Sequence, residues 1–172
     1  MTQRLPLVLL FVLLSCSSGE SQDTAPSPAA DGGPIPATFA ADIDAALNAA
    51  STVELFALHP DEAEGDADAQ RFHGFVVLGQ VAADAALGKE VLHRIAEGVR
   101  IKSSQAKCWE PRHGVRVVSE DGTSTDLVIC YECHYVHVHL GDVERQGFTT
   151  GNAVEPAVSG LFTKAGLAIH GQ

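Results

Sequence analysis

Apolar residues at three- and four-residue spacing predict three helices along the chain. A weakly amphipathic one spans Thr38 to Ala50, and a C-terminal one begins at Pro156 and ends before Gly166. The clearest begins after Asp84 as its N-cap and ends at Gly98, which we expect in a left-handed conformation. Its apolar face consists of Leu87, Val91, Leu92, Ile95 and Val99.

Runs of β-branched and aromatic residues between these helices predict strands. Two precede the central helix, Val53 to His59 and Arg71 to Gly79, and two follow it, Val115 to Ser119 and Ser124 to Val138. The order helix, strand, strand, helix, strand, strand, helix predicts an α+β domain. We expect an antiparallel sheet with a central hairpin at about residues 114–140 and with the helices packed on one face.

The hairpin turn at Asp121-Gly122 sets which residues face each other across the two strands. A two-residue turn there pairs positions whose numbers sum to 243. This pairing places His113 opposite Cys130, with Cys133 and Cys108 at the same end. The sequence therefore predicts a cluster of three cysteines and one histidine at the open end of the hairpin.

The first part of the chain reads as an export segment followed by a tether. Residues 1–15 combine Arg4 with an apolar run too short to span a bilayer permanently, which is typical of a signal peptide. Leu13-Leu14-Ser15-Cys16 resembles the lipobox of bacterial lipoproteins, in which Cys16 is acylated, although Leu14 stands where a small residue is usual. The alternative is simple cleavage near Ser18. Residues 16–37 are rich in Ser, Pro, Gly and Asp and predict a flexible tether.

Length and charge narrow the class of protein. The 172 residues leave 38–172 for a single domain. The formal net charge of −11 disfavours binding to nucleic acid, because such binding relies on Lys and Arg neutralising phosphates. The lipobox instead predicts a membrane partner reached through the lipid anchor, with the domain exported to the bacterial cell envelope.

The cysteines admit several chemical states. One is a disulfide of Cys108 with Cys130 or Cys133, which an oxidising compartment favours. Another is a tetrahedral zinc site of these three thiolates with His113 or His134. The zinc site needs a bulge, because residues three apart in a regular strand point to opposite faces. Simple packing of reduced cysteines is a third state.

The histidines near Cys133 suggest two further sites. Cys130-Tyr131-Glu132-Cys133-His134 matches the covalent haem pattern, but the segment has strand composition and the only methionine is Met1. His137 and His139 alternate onto one strand face, with His134 on the other, so the first two could share copper or zinc. An exposed face of titrating histidines is the simpler alternative. No sequence feature marks a catalytic residue, and His59, His73 and His170 receive no role.

Three segments carry a resemblance: 72–79, Cys108-Trp109-Glu110-Pro111-Arg112-His113-Gly114-Val115-Arg116 and Asp126 to Cys133. They resemble signature segments of a family of small exported bacterial proteins without assigned activity, over roughly Val53 to Leu167. The resemblance implies a single exported domain, and it implies that His134 is incidental. We therefore expect a non-catalytic binding or structural module of the envelope. Metal-binding or redox chemistry at the cysteines is the alternative, and a haem protein is the third.

Overall fold

The computed structural model describes residues 45–46, 50–62 and 67–172. This part of the chain contains seven strands, two complete α-helices, one turn of 3-10 helix, Asn152–Val154, and the two helical residues Ala45 and Ala46. The strands are β1 (Ala50–Leu58), β2 (Arg71–Phe72), β3 (Phe75–Ala83), β4 (His113–Ser119), β5 (Ser124–Cys130), β6 (Tyr135–Leu140) and β7 (Val143–Thr149). The helices are α1 (Ala85–Arg100) and α2 (Glu155–Lys164).

The strands form one antiparallel sheet in the order β2-β3-β1-β4-β5-β6-β7. Both helices pack on the same face, where Val91, Ile95, Val158 and Phe162 meet the inward side chains of the sheet. The predicted α+β class, the antiparallel sheet and the placement of the helices on one face are confirmed. We call the two sides of the sheet the helix-covered face and the open face.

The open face carries a smaller apolar cluster of its own. Phe56, Leu58, Phe72, Phe75 and Val128 are buried there without a helix above them, and Val77 and Trp109 pack at its edge. Because side chains alternate along a strand, this cluster lies on the opposite side of the sheet from the main core. The sheet is therefore enclosed on both faces at its centre.

Helix α1 follows the prediction at its start and departs from it at its end. The Asp84 side chain accepts a hydrogen bond from the Leu87 N–H at 2.8 Å, as expected of an N-cap. Gly98 does not end the helix, which continues to Arg100. A side chain at Gly98 would meet the Thr150 hydroxyl at 2.6 Å, so this glycine lets the segment after β7 approach the helix closely.

The hairpin of β4 and β5 has a different register from the predicted one. The Ser119 N–H donates to Thr123 O at 2.9 Å and Gly122 has φ of 83°, which is a three-residue loop ending in a left-handed residue. Partners therefore sum to 242, and His113 lies opposite Ile129 rather than Cys130. The predicted register is wrong by one residue.

Two predicted strands are interrupted by turns. The run from Arg71 to Gly79 divides into β2 and β3, because His73 and Gly74 both have positive φ and form a two-residue hairpin turn. The run from Ser124 to Val138 divides into β5 and β6 around the turn of residues 131–134. The polar edge strand β7 was not predicted.

The ends of the domain give one confirmation and one untested prediction. Pro156 lies in the first turn of α2, and Gly166, with φ of 89°, follows its end, as predicted. The predicted helix from Thr38 to Ala50 lies mostly outside the described residues. Within it, Ala45 and Ala46 are helical and Ala50 already belongs to β1. The predicted signal peptide, Cys16 and tether lie entirely outside the described residues.

Candidate functional site

The turn between β5 and β6 brings two cysteines together. Cys130 ends β5, and Cys133 follows within the turn, with their Cα atoms 5.1 Å apart and their sulfurs joined in a disulfide. His134 has φ of 56°, so the reversal uses a left-handed residue that is not glycine. The chain reverses where a continuous strand was predicted, and both thiols meet without the bulge that a strand would require.

Cys108 completes a three-cysteine cluster. It lies on the segment between α1 and β4, and it is a free, partly exposed thiol. The sulfurs of Cys108, Cys130 and Cys133 all lie within 4.8 Å of one another. Within the described ranges this is the one group of three or more His, Cys, Asp or Glu residues whose ligand atoms are this close. With the disulfide reduced, these three thiols would lie close enough together to hold one metal ion.

Backbone hydrogen bonds surround the buried pair. Cys130 and Cys133 are 1% and 0% exposed. The Cys133 N–H donates to the Cys130 sulfur at 3.1 Å, and the Glu110 N–H donates to the Cys133 sulfur at 3.3 Å. The Ala106 N–H also donates to Cys133 O at 2.9 Å. Cys108 is therefore flanked on both sides by residues hydrogen-bonded to Cys133, and both buried sulfurs have an N–H donor.

The predicted pairing of Cys108 is wrong for this form of the protein. The structure joins Cys130 to Cys133 and leaves Cys108 free. The difference follows from the turn after β5, which places its two cysteines side by side. The Cys130–Cys133 disulfide also uses both sulfurs that covalent haem attachment would need. His134, the residue after the pair, instead hydrogen-bonds through Nδ1 to Ser104 O at 3.2 Å.

His113, predicted as a metal ligand, lies away from the cluster on the helix-covered face. Its Nε2 hydrogen-bonds the Ser159 hydroxyl at 2.9 Å, and its ring packs edge-on against Tyr131 and Phe162. Burial, with a smaller contribution from the positive charge of Arg112, lowers the pKa of His113 to about 3. This histidine is neutral and structural, and the one-residue register error accounts for its misplacement.

The open face carries a polar network that sequence reasoning missed. Asp126 is fully buried and accepts two hydrogen bonds from Arg116, at 2.9 and 2.7 Å, and one from His73 Nε2 at 2.7 Å. Burial by itself would raise the pKa of Asp126, but the hydrogen bonds from Arg116 and His73 outweigh it and hold this pKa below its ordinary value. Arg116 also lies over the rings of Phe56 and Phe72.

A row of rings extends this network toward the cysteines. His139 stacks on His73 with ring centroids 3.8 Å apart, and burial and His73 lower the pKa of His139. His137 shares the open face with His139, as predicted, and it hydrogen-bonds Glu144 and packs against Trp109. The opposite charges of Arg116 and Asp126, each within an apolar strand, were the sequence signal that could have found this network.

A surface cavity of about 430 Å³ lies between the three-cysteine cluster and the row of rings on the open face. Its lining consists of Gln105, Ala106, Lys107, Cys108, Trp109 and His137. Cys108 is the member of the three-cysteine cluster that reaches this cavity, which gives the cluster one route to solvent among the described residues.

Comparison of the chain with the profiles of known protein families, with curated proteins and with solved structures finds no match. Among the helices of the described residues, none combines the length and the apolar character needed to cross a bilayer.

Proposed function

We propose that the three-cysteine cluster binds a soft or borderline metal ion, such as zinc, when its thiols are reduced. The observation that carries the proposal is the convergence of three sulfurs within 4.8 Å. Tetrahedral zinc with Zn–S bonds of about 2.3 Å holds its sulfurs somewhat less than 4 Å apart, so small side-chain movements suffice. Thiolate ligands select zinc and copper(I) over hard cations such as calcium.

The hydrogen bonds at the buried sulfurs support this proposal. A metal ligand must be the thiolate, and N–H donors favour the charged form of a group that accepts them. The donors from Cys133 and Glu110 therefore favour thiolates at Cys130 and Cys133. The cavity beside Cys108 leaves room for water or an imidazole as the fourth ligand. His137 lines this cavity, and its other nitrogen is already held by Glu144 in the manner of metal-binding histidines.

Metal binding requires opening of the disulfide seen in the structure. Two electrons and two protons convert the Cys130–Cys133 bond to two thiols, and metal coordination then releases thiol protons. The disulfide and the metal are therefore alternative states of one cluster. In an oxidising envelope the supply of reducing dithiols would decide between them.

The test is metal titration of the full chain after reduction, with reductant removed under anaerobic conditions. We expect one Co²⁺ per chain with the intense thiolate-to-metal absorption of sulfur ligands, and displacement by Zn²⁺. Cys108→Ser and Cys130→Ser should lose this absorption or weaken binding severely. Cys16→Ser is the matched control, because Cys16 is the predicted acylation site and not one of the proposed ligands, and it should bind as the wild type does. Equal binding by Cys108→Ser, or none by the wild type, would overturn the proposal.

The location of the protein forms a second part of the proposal. The lipobox at Cys16 and the polar residues 16–37 support a lipid-anchored protein of the bacterial cell envelope, with the domain exported as a binding module. Radiolabelled palmitate should be incorporated into the wild type and lost in Cys16→Ser. Incorporation that survives this substitution, or a soluble wild-type protein without lipid, would contradict the anchor.

A further inference from the structure

We infer that Cys108 is the thiol through which the buried Cys130–Cys133 disulfide exchanges electrons with dithiols outside the protein. This inference concerns the oxidised form and does not depend on metal binding. Thiol–disulfide exchange needs direct contact between an attacking thiolate and a disulfide sulfur, so access decides which sulfurs can react. Cys130 and Cys133 are almost fully enclosed, whereas Cys108 is partly exposed and lines a surface cavity. An external thiol can reach Cys108 while the fold stays intact.

The geometry points to Cys133 as the sulfur that Cys108 attacks. The segment carrying Cys108 is fastened to Cys133 by the Ala106 N–H on one side and by the Glu110 N–H on the other. These two hydrogen bonds hold Cys108 beside Cys133, and the three sulfurs are within 4.8 Å. Cys130 lies three residues earlier, at the end of β5, and its sulfur accepts a hydrogen bond from the Cys133 N–H instead.

The first step is an exchange within the protein. The Cys108 thiolate attacks the Cys133 sulfur, a Cys108–Cys133 bond forms, and the Cys133–Cys130 bond breaks. The electron pair leaves on Cys130, which becomes a thiolate and takes up the proton that Cys108 lost. The Cys133 N–H, 3.1 Å from the Cys130 sulfur, stabilises this leaving group. The step involves no net oxidation or reduction.

The second step brings in the external dithiol at the cavity. One of its thiolates attacks the Cys108 sulfur, and Cys133 leaves as a thiolate stabilised by the Glu110 N–H. The second thiol of the external molecule then attacks the mixed disulfide and releases Cys108. The external dithiol has become a disulfide, and the protein holds three thiols after gaining two electrons and two protons. Each buried sulfur that leaves has an N–H donor in place.

This order of events assigns separate tasks to the three cysteines. Cys108 reacts with the external dithiol. Cys133 exchanges its disulfide partner from Cys130 to Cys108, and Cys130 is the leaving group of the first step. The substrate class is a dithiol small or extended enough to place one sulfur in a cavity of about 430 Å³ beside Trp109 and His137. The reverse sequence would oxidise such a dithiol, so the same path serves both directions.

The decisive experiment measures the rate at which dithiothreitol reduces the full-length protein, with chelator present to exclude metal. Samples are quenched with an alkylating agent and the disulfides are mapped by mass spectrometry. Cys108→Ser should slow reduction of the Cys130–Cys133 bond by about an order of magnitude or more, since the accessible thiol is gone. A wild-type rate in Cys108→Ser would overturn the inference.

A second measurement does not depend on the folding of a variant. Among the three cysteines of the cluster, alkylation of native wild-type protein by iodoacetamide should modify Cys108 alone, and it should slow subsequent reduction to the same degree. Cys130→Ser should collect as a Cys108–Cys133 disulfide on mild oxidation, which traps the first intermediate. Cys133→Ser is the matched control and should pair far less readily. Equal pairing in the two variants would contradict the proposed order, whatever the outcome of the metal titration.

Discussion

His113 and His73 are two enclosed histidines on opposite faces of the same sheet, and their surroundings give them opposite chemistry. His113 lies on the helix-covered face, where its one polar partner is the neutral Ser159 hydroxyl. His73 lies on the open face and contacts the carboxylate of Asp126, which Arg116 also binds. The helix-covered face excludes charge, whereas the open face encloses a charge that is paired.

The contrast arises from alternation along β5. Asp126 and Val128 point to the open face, while Leu127 and Ile129 point to the helices. A carboxylate shifted by one position along β5 would point into the apolar core, where no positively charged group could pair with it. Substitutions on the two faces should therefore differ in their effect on stability.

Asp126→Asn should have the largest effect. The substitution leaves the Arg116 guanidinium and His73 beside a neutral amide in a buried setting, at a cost of about 3–4 kcal/mol in the free energy of unfolding. Urea denaturation at neutral pH measures it. Asp142→Asn, at an exposed acid in the β6–β7 turn, is the matched control and should change stability by less than about 0.5 kcal/mol. A loss below 1 kcal/mol at Asp126 would mean that the enclosed charge is not stabilising.

We expect the next largest effect at His113, which should make the free energy of unfolding depend on pH. Its pKa is lowered from 6.5 to about 3 on folding, so between these values the unfolded chain binds more protons than the folded one. The free energy of unfolding therefore falls as the pH falls, by roughly 2–3 kcal/mol between pH 6.5 and 4.5. Asp126 contributes to stability in a different pH range. Because folding lowers the pKa of its carboxyl group below the ordinary value of 3.8, its contribution to the free energy of unfolding is present above pH 3.8 and is lost only below it.

Urea denaturation across this pH range should show the slope in the wild type and a clearly smaller slope in His113→Gln. His93→Gln is the matched control, because His93 is exposed on α1, and it should keep the wild-type slope. Identical slopes in the wild type and His113→Gln would show that His113 titrates normally in the folded protein.

Gly114→Ala should have an intermediate effect that is confined to the open face. A Cβ at this position would lie 2.9 Å from the Phe72 ring and 3.1 Å from the Phe56 Cβ, and overpacking of this kind costs about 2 kcal/mol. Thermal unfolding measures the loss. Gly160→Ala on α2 is the matched control, since nothing lies near its Cβ, and it should stabilise the helix by up to about 1 kcal/mol. Two variants of equal stability would contradict the close packing at Gly114.

Glu144→Gln should have the smallest effect. It removes a carboxylate from a histidine on the open face, as Asp126→Asn does, but the Glu144 side chain is 52% exposed. Water replaces the lost contact, so we expect a change of about 0.5 kcal/mol or less, and smaller still in high salt. Urea denaturation at two ionic strengths checks this. A loss above 1 kcal/mol would show that the difference in exposure does not account for different contributions of the Asp126–His73 and Glu144–His137 pairs to stability.

Helix α1 could be predicted from the sequence because its signals agree over sixteen residues. The apolar spacing from Leu87 to Val99 and the cap at Asp84 all indicate the same element. The sheet was predictable in type for the same reason, since strand composition and Asp121-Gly122 both favour an antiparallel hairpin. Agreement among local signals was sufficient there.

The candidate site depended on features that local signals do not determine. Loops of two and three residues both fit Asp121-Gly122, and the choice between them moved His113 to the other face. The charges of Arg116 and Asp126, directly opposite in the true register, would have decided it. The turn after Cys130 contains neither Gly nor Pro, and His73 meets Asp126 across 53 positions of sequence. The conformation of this turn and the meeting of His73 with Asp126 both depend on tertiary contacts.

The interior position of β1 determines how the domain would respond to mechanical load. β1 is the first strand of the described residues, and it is hydrogen-bonded to β3 on one side and β4 on the other. The hydrogen bonds of antiparallel ladders run perpendicular to the strands, so tension along β1 would load both ladders in shear at once. Withdrawing β1 would separate β2 and β3 from β4–β7. A pull on the chain ahead of Ala50 would therefore act first on an interior strand rather than on an edge strand.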